Sequence, residues 1–437
     1  MGQDAGKDAP PHRARAATAN RGSARKDQSG DGAKIMRILI ATITAGAGHL
    51  QAAAALEEAW REAQPGDVVE RVDVRDFFSP LHRKVYTDGY VQLIAKAPEF
   101  WGLVFKQTDN PELVRKLAKF KAAFKSNSTR KIAAHIRDFA PDAVVCTHYL
   151  PLEILGQMRA RWEGRPPLTI SVVTDFEAHA LWMEPNVDLY CVAAEETKAR
   201  LVARGAPPAD VLATGIPISR RFSAAPDAPA VRKRLGLRDD LPILLVLGGG
   251  FGMGPVAEIL TELDKLALPF QTVVVAGRNE ELRRELAVRD HRHPTQILGF
   301  VNNMQDLMAI ADMIITKPGG LTSSEALALG KPLFMLNPIP GQEAANSDFL
   351  LGHGVAAKAN RVEDLPFRLE QLLGTPKLAA MAEAARRLGR PNAARDVCAA
   401  VTARLAARAA APPPAPVPTP APAPARKAAK KSGARRA

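Results

Sequence analysis

A Gly-Gly turn near residue 320 has the features of a phosphate-binding site. The apolar segment from Asp312 to Thr316 predicts a strand, and Lys317, Gly319 and Gly320 follow it closely. Glycine permits positive φ and close backbone approach, so N–H groups can point outward at this turn. The next predicted helix presents its positive end to an anion, with a hydroxyl cap from Thr322, Ser323 or Ser324. We therefore predict that this segment holds a phosphorylated ligand.

Glu325 lies in the first turn of the same predicted helix. Its carboxylate is close enough to the turn to accept hydrogen bonds from sugar hydroxyl groups. The alternative is an ordinary strand-to-helix turn with a Glu near its start, and a lone Gly-Gly turn would favour that interpretation. The remainder of the chain decides between the two.

His49 and Asp175 are candidates for proton transfer. The apolar, branched segment from Met36 to Thr42 predicts a buried strand, and a loop of small residues leads from it to His49 at the start of a helix. His148 and Asp175 also follow predicted strands directly. A doubly wound parallel sheet gathers such residues at its carboxyl edge, where α/β proteins bind ligands. The alternative for His49 is a surface residue at a helix start.

A second glycine-rich loop, Gly248 to Gly254, follows the predicted strand from Ile243 to Leu247. Its glycines are not spaced as GxGxxG, and no acidic residue ends the next strand to hold a nicotinamide ribose. A dinucleotide site is therefore disfavoured. The backbone N–H groups of such a loop can still bind a diphosphate.

The predicted helices between Leu81 and Ile136 combine aromatic and basic residues. Leu113, Leu117, Phe120 and Phe124 share one helix face, and Lys116 and Lys121 lie on its two edges. This arrangement suits a helix that lies on an anionic membrane with its lysines reaching the surface. The alternative is an amphipathic helix that packs on its own domain.

Composition limits the possible classes of protein. A chain of 437 residues that is 46% hydrophobic and 24% charged predicts a globular protein of two domains. Its three cysteines, odd in number and without CxxC spacing, argue against a zinc cluster and against a secreted disulfide framework. We expect a cytoplasmic protein, since neither a membrane span nor a signal peptide is apparent.

The net charge of +13 is concentrated at the two ends of the chain. Residues 1–34 carry seven Lys or Arg against four Asp, and residues 411–437 carry six basic residues and no acidic one, which leaves +4 for the body. The high pI is therefore partly a property of tails, and no nucleic-acid partner is predicted. The proline-rich C-terminal tail is predicted to be an extended spacer that ends in a basic cluster.

Strands and helices alternate along the chain, which predicts two Rossmann-like α/β domains. The predicted organisation is a disordered tail at 1–34, a domain at 35–220 that carries the candidate membrane-facing helices, a linker at 221–240, a ligand-binding domain at 241–410, and a disordered proline-rich tail at 411–437. The predicted strands are Met36–Thr42, Asp67–Val74, Pro141–Cys146, Leu168–Thr174, Val187–Val192, Val211–Gly215, Ile243–Leu247, Thr272–Ala276, Gln296–Val301 and Asp312–Thr316, and one further strand is predicted between the helix after the Gly-Gly turn and Asn346.

A series of motifs resembles the monogalactosyldiacylglycerol synthase and processive diacylglycerol glucosyltransferase group. The resemblance extends from about Ile35 to Leu405, and it rests on the order and spacing of the motifs together. They are GAGH at Gly46–His49, VVTDF at Val172–Phe176, GIPI at Gly215–Ile218, GGGFGMGP at Gly248–Pro255, AGRN at Ala276–Asn279, ILGFVNNMQDLMAIADMIITKPGG at Ile297–Gly320, and PGQE at Pro340–Glu343.

The resemblance implies a GT-B fold, in which two Rossmann-like domains of doubly wound parallel sheets face each other across a cleft. It also implies an inverting transfer of a hexose from a UDP-sugar to a lipid hydroxyl, most simply that of diacylglycerol, without a metal or other cofactor. His49 is implied as the general base, with Asp175 as the second candidate for base or as the partner that orients the imidazole.

The resemblance further implies a set of donor-binding residues. Phe300 and Val301 would border the uracil, Met304 would line the nucleotide pocket, Glu325 would hold the ribose, and Gln342, Glu343 and Asn346 would face the sugar or phosphates. The full predicted donor site is Gly249, Gly250, Phe251, Arg278, Phe300, Val301, Met304, Lys317, Gly319, Gly320, Thr322, Glu325, Gln342, Glu343 and Asn346.

The same resemblance places the membrane and the acceptor at the helical region from Leu81 to Ile136. The predicted contact residues are Trp101, Phe105, Lys116, Phe120, Lys121 and Phe124, which would bring the protein to an anionic surface on the inner face of the cell membrane. Other functions remain open: a UDP-N-acetylglucosamine transferase acting on another lipid carrier or on lipopolysaccharide, a UDP-sugar 2-epimerase, and a UDP-sugar-sensing protein.

Overall fold

The computed structural model describes residues 34–44, 46–83, 97–110, 112–113, 127–159, 162, 164–224, 226–248, 255–336 and 338–410. Apart from Lys34, both predicted tails lie outside these residues. From Met36 onward the described chain contains two six-stranded sheets, each of which is entirely parallel.

The first sheet has the strand order β2-β1-β3-β4-β5-β6. Its central strands are mostly apolar and buried along their whole length, as expected for a parallel sheet covered on both faces. The strands are β1 (Arg37–Thr42), β2 (Val68–Asp73), β3 (Ala143–Cys146), β4 (Leu168–Val172), β5 (Leu189–Cys191) and β6 (Val211–Leu212).

The second sheet has the order β12-β11-β10-β7-β8-β9. The strand order reverses between β7 and β10, which is the kind of switch point where α/β sheets bind ligands. The strands are β7 (Ile243–Leu247), β8 (Gln271–Val275), β9 (Thr295–Leu298), β10 (Met313–Thr316), β11 (Leu333–Leu336) and β12 (Ala356–Ala359).

Helices connect the strands and cover the faces of both sheets. Those of the first half are α1 (Ala47–Ala63), α2 (Pro80–Arg83), α3 (Pro98–Thr108), α4 (Asn127–Phe139), α5 (Tyr149–Arg159) and α6 (Glu195–Ala203). Those of the second half are α7 (Ala228–Arg234), α8 (Val256–Leu263), α9 (Glu280–Ala287), α10 (Met304–Ile310), α11 (Gly320–Ala328), α12 (Gln342–Gly352), α13 (Leu365–Glu370), α14 (Pro376–Leu388) and α15 (Ala393–Ala410). Short 3₁₀ turns include Val74–Phe77, Ala180–Trp182, Pro208–Asp210, Arg220–Ser223 and Val362–Asp364. None of the helices in the described ranges is long and apolar enough to cross a membrane.

The last helix, α15, packs on the first sheet although it follows the second sheet in sequence. Val397, Val401 and Leu405 are buried in the same core cluster as Leu56 and Trp60 of α1. Arg404 forms an ion pair of 2.7 Å with Asp210, beside β6. The predicted range 241–410 therefore includes a segment whose packing partners belong to the first half.

Every strand predicted from the sequence is present, with ends displaced by up to three residues. The strand β12 was not predicted, because its sequence Ala-Ala-Lys-Ala is typical of helices. Its backbone pairs in register with β11 from Leu333↔Ala356 to Leu336↔Ala359. Pairing at the sheet edge therefore overrides the local helical preference.

Candidate active site

The carboxyl edges of the two sheets meet, and their loops touch. Gly320, at the start of α11, lies so near the loop after β4 that a Cβ on it would be 2.1 Å from the carbonyl oxygen of Thr174. Gly48 approaches α11 from the other side, where a Cβ would lie 3.7 Å from the Cβ of Leu321. The cleft between the two edges thus brings His49 and Asp175 close to the Gly-Gly turn.

Two residues of the first half, Thr147 and Thr174, hold the imidazole of His49 in one orientation. Its Nδ1 atom lies 2.9 Å from the carbonyl oxygen of Thr147 and 2.9 Å from the hydroxyl oxygen of Thr174. A carbonyl oxygen can only accept, so Nδ1 carries the proton and donates it. The lone pair of His49 therefore lies on Nε2, which is the tautomer that a general base needs.

The surroundings of His49 keep its ring neutral. Burial lowers the pKa of His49 below its usual value, and the charge of Asp175 and the bond to Thr147 oppose that shift. The ring of His148 lies edge-on to His49, with 4.8 Å between the ring centroids. Burial, reinforced by the charge of His49, holds the pKa of His148 well below its usual range. Two neutral imidazoles therefore lie side by side at the cleft.

Asp175 is held across the cleft by Asn346 of α12. Asn346 Nδ2 donates to Asp175 Oδ1 at 3.1 Å and to the carbonyl oxygen of Pro318 at 3.1 Å, while its Oδ1 accepts the backbone N–H of Phe176 at 2.9 Å. Asn346 is fully buried. Burial raises the pKa of Asp175, against the effects of the His49 charge and of the bond from Asn346. Asn346 was predicted to face the donor, but its amide forms hydrogen bonds with protein groups.

The Gly-Gly turn is built differently from its sequence-based prediction. Helix α11 begins at Gly320 with Gly319 as its N-cap, and no side chain caps it. The predicted caps are therefore wrong: Thr322 and Ser323 lie inside the helix, and the Ser324 hydroxyl donates back to the carbonyl of Gly320 at 2.8 Å. Gly319 has a φ of −70°, so positive φ is not the reason for glycine here. The close approach to Thr174 requires glycine at Gly320, whereas a Cβ on Gly319 would meet no atom within 4 Å.

The start of α11 remains suited to an anion. The first N–H groups of a helix have no intrahelical partner and carry its positive end. Glu325 lies one turn later, half-buried, and burial raises its pKa to about 8. Since no cation among the described residues contributes to this shift, the carboxyl group is suited to exchange hydrogen bonds with sugar hydroxyls rather than to form an ion pair.

A second polar group lies at the start of α12. Glu343 accepts the backbone N–H of Ile339 at 2.8 Å, and Gly341 precedes the helix with a φ of 100°. Burial raises the pKa of Glu343, while this hydrogen bond and the charge of Lys317 oppose the shift. Gln342 and Glu343 are half-buried beside the Gly-Gly turn, as a contact with a ligand requires.

The predicted nucleotide-base residues lie on neighbouring loops of the second sheet and at the start of α10. Phe300 follows β9 and is 59% exposed, and the Arg278 guanidinium lies over its ring at 5.1 Å from the centroid. Val301 and Met304 are half-buried and pack against the core of the second half. An exposed aromatic face backed by a cation is a surface on which a planar base can stack.

Other predicted residues lie outside the described residues. These are Gly249, Gly250 and Phe251 of the diphosphate loop, and Lys116, Phe120, Lys121 and Phe124 of the membrane-facing stripe. In the described part of the chain, no group of three or more His, Cys, Asp or Glu is placed to hold a metal ion.

Helix α3 places its aromatic residues differently from the prediction. Phe105 faces the protein: its ring lies 4.2 Å from the ring of His179, and it packs against Gly341. Trp101 is half-buried beside it, with 6.1 Å between the ring centroids. The exposed apolar side chains of this helix are Phe100 and Leu103, at 57% and 52%.

Sequence reasoning placed His148 at this edge without giving it a role, and it did not include Thr147 and Thr174 in the site. All three directly follow or end predicted strands, at the same edge as His49 and Asp175. That position is the signal by which they could have been included.

Family models match both halves of the chain. Residues 49–218 match monogalactosyldiacylglycerol (MGDG) synthase, and residues 227–388 match glycosyl transferases group 1. The processive diacylglycerol beta-glucosyltransferase of Bacillus pumilus (strain SAFR-032) is 32% identical over 342 residues, which are 77% of this chain and 86% of the relative.

Solved structures share the architecture at low identity. MurG of Acinetobacter baumannii is 17% identical with a TM-score of 0.53, over 84% of this chain and 99% of that one. The UDP-GlcNAc 2-epimerase of Neisseria meningitidis is 15% identical with a TM-score of 0.53, over 84% and 100%. These likenesses establish the fold alone, and they confirm the predicted α/β GT-B architecture. The identity to the Bacillus enzyme over most of both chains shows that this protein belongs to the monogalactosyldiacylglycerol synthase and processive diacylglycerol β-glucosyltransferase family of glycosyltransferases.

Proposed function

We propose that the protein transfers a hexose from a UDP-sugar to the hydroxyl group of diacylglycerol, with inversion at the anomeric carbon. The observation that carries this proposal is the position of His49. Its Nε2 lone pair belongs to one half of the protein, and the Gly-Gly helix start belongs to the other. A base and an anion site on opposite sides of a cleft are what a single displacement requires.

The reaction follows from these positions. His49 Nε2 takes the proton of the acceptor hydroxyl as the oxygen attacks the anomeric carbon, and the bond from that carbon to the diphosphate oxygen breaks. UDP leaves with the bonding electron pair. The N–H groups at the start of α11 and the Lys317 ammonium stabilise its charge, and Asp175 stabilises the imidazolium that His49 becomes. The proton then passes to solvent.

We also propose that the reaction needs no metal ion. Two positive groups support this proposal, the N-terminus of α11 and the Lys317 ammonium. Together they can take the role of a divalent cation at the diphosphate. An assay with and without EDTA tests it. Equal rates are expected, and activity that disappears with EDTA and returns with Mg²⁺ would show that the proposal is wrong.

We propose that the first half meets an anionic membrane on the inner face of the cell membrane. Phe100 and Leu103 support this, since they are one turn apart on α3, exposed, and followed by the exposed Lys106. Diacylglycerol is a bilayer lipid, so an acceptor site must be able to reach the bilayer surface.

The name of the Bacillus relative makes UDP-glucose the first donor to test. Transfer of N-acetylglucosamine to another lipid carrier or to lipopolysaccharide is the second candidate, because the fold is shared with MurG. Epimerisation of a UDP-sugar shares the fold as well, but the identity to a transferase over most of the chain favours transfer.

One experiment separates these functions. Purified protein is incubated with UDP-glucose, UDP-galactose or UDP-N-acetylglucosamine and liposomes that contain diacylglycerol, and the lipid and nucleotide products are identified by mass and by chromatography. We expect one donor to give a β-linked glycolipid and UDP. A changed UDP-sugar without acceptor would indicate an epimerase, and no product from any donor would contradict the proposal.

A further inference from the structure

We propose that Asn346 is a positioning residue that fixes the Asp175 carboxylate from the opposite half of the protein, and that it acts on the base His49 through Asp175. The inference rests on the proposed transferase function, and it gives Asn346 a role other than contact with the donor. Helix α12 then joins the donor loop to the proton-transfer groups.

The hydrogen bonds of Asn346 use both Nδ2 protons and one lone pair of its Oδ1, so the amide has no donor left for a sugar. Its Oδ1 faces an N–H group and its Nδ2 faces two oxygens, so each end of the amide has partners of the correct kind. The side chain is fully buried. A buried amide with both ends satisfied fixes the groups that it bonds, because any displacement would leave a polar atom unpaired.

Three contacts along α12 hold this arrangement in place. Asn346, Phe349 and His353 are spaced three and four residues apart, so they share one face of the helix. The Phe349 ring stacks on Phe176 at 4.6 Å, and His353 pairs with Glu196 at 3.0 Å. The same helix begins with Gln342 and Glu343, at the predicted donor site. One rigid element therefore extends from the donor side to the residue after Asp175.

The charged groups around Asp175 come from both halves. His49 and His179 from the first half and Glu343 from the second half all interact with it electrostatically. Its carboxylate raises the proton affinity of His49, which burial would otherwise lower further. A displaced Asp175 therefore changes the basicity of His49 without removing any group that binds UDP.

Two substitutions separate the functions of the amide. Asn346→Asp keeps the oxygen that accepts from Phe176 and replaces only the Nδ2 donor, whereas Asn346→Ala removes both ends. The matched control is Ser347→Ala, since Ser347 is also fully buried on α12 and its hydroxyl has no hydrogen-bond partner among the described residues.

The experiment measures kcat, KM for the UDP-sugar, UDP affinity by calorimetry, and the His49 pKa by NMR titration, with His49→Gln to assign the resonance. For Asn346→Ala we expect kcat to fall roughly 10- to 100-fold, the effect of a misplaced reacting group, while UDP affinity stays within about threefold. For Asn346→Asp we expect a comparable loss at pH 7.5 and a smaller loss, relative to the wild type at the same pH, under acidic conditions, where the new carboxyl is protonated and can donate. Ser347→Ala should match the wild type.

Two results would overturn the proposal. One is a large loss of UDP affinity in Asn346→Ala with unchanged kcat, which would mean that the amide contacts the donor. The other is a His49 pKa that is the same in the wild type and in both Asn346 variants. The titration needs no turnover, so it decides the positioning role even if the wild type makes no glycolipid, an outcome that would contradict the proposed function alone.

Discussion

Gly320 and Thr174 belong to opposite halves of the protein, and their backbones are in contact: a Cβ on Gly320 would lie 2.1 Å from the Thr174 carbonyl oxygen. The glycine that begins the anion-binding helix is thus also the point where the helix rests on the loop of Asp175. The contact between the two halves and the position of the helix start therefore both depend on the absence of a Cβ at Gly320.

Gly320→Ala should therefore separate the two halves or displace the loop. Overpacking of this kind costs roughly 1–3 kcal/mol, and we expect a lower Tm together with a loss of turnover of at least about tenfold. Thermal denaturation and the glycolipid assay measure both effects. The control is Gly352→Ala at the end of α12, because a Cβ on Gly352 would meet no atom within 4 Å. Equal Tm and equal turnover in Gly320→Ala and Gly352→Ala would show that the contact between Gly320 and Thr174 is unimportant.

His49→Ala should lose most turnover and keep UDP affinity. A general base contributes typically 10²- to 10⁴-fold to a rate, and His49 belongs to the half opposite the predicted nucleotide site. Turnover at saturating donor and UDP affinity by calorimetry are the measurements. Turnover within a fewfold of the wild type would exclude His49 as the base.

The pH profile of kcat/KM should have an acidic limb with a midpoint below 6.5, the usual value for histidine. Burial lowers the pKa of His49, so the neutral base persists to lower pH than it would in water. Asp175 and His148 titrate in the same cluster, and the observed midpoint therefore belongs to the group. A midpoint above 6.5 would contradict a neutral, buried imidazole as the base.

Glu325→Gln should change the way in which stability depends on pH. Burial raises the pKa of Glu325 from its ordinary 4.5 to about 8. Between these values the folded protein keeps a proton that the unfolded chain releases, so this group makes stability fall as pH rises, by ~1.4 kcal/mol for each unit of raised pKa.

The variant has no such proton to lose. We expect the difference between its Tm at pH 5 and at pH 9 to be smaller than that of the wild type by several degrees, and its UDP affinity to be reduced. Glu370→Gln, an exposed position on α13, is the control. If both variants show the wild-type dependence on pH, Glu325 is not protonated in the folded protein.

A double substitution, Phe100→Ser with Leu103→Ser, should weaken binding to anionic liposomes. Each apolar side chain transferred into lipid contributes about 1.5–3 kcal/mol when fully buried, so we expect at least a tenfold weaker partition coefficient. Phe367→Ser provides a matched control, since Phe367 is 63% exposed and lies in the second half. Co-sedimentation with vesicles measures all three proteins, and equal losses in both variants would exclude α3 as the membrane contact.

The sequence was sufficient for the alternation of strands and helices and for the edge at which the polar residues gather. Both follow from local rules, namely apolar segments that become buried strands and the position of each residue directly after one. His49, Asp175 and the Gly-Gly turn were found in this way, and the order of the motifs identified the family.

What the sequence did not predict depends on contacts between distant segments. The role of Gly320 is set by the backbone of Thr174, far earlier in the chain, and the amide of Asn346 is directed by partners near residues 175 and 318. The inward position of Phe105 comes from His179 and Gly341, which no periodicity along α3 could indicate. The strand β12 forms because its backbone pairs with that of β11.

The return of α15 to the first sheet affects how the protein can be made. Its residues Val397, Val401 and Leu405 close the core that contains Leu56 and Trp60, and they are synthesised after every described strand of both sheets. Until the ribosome has produced α15, the apolar face of α1 that α15 covers stays exposed to solvent. A chain that ends at residue 392 keeps both sheets and still leaves that face open, so termination before α15 yields a product prone to aggregation rather than a shorter enzyme.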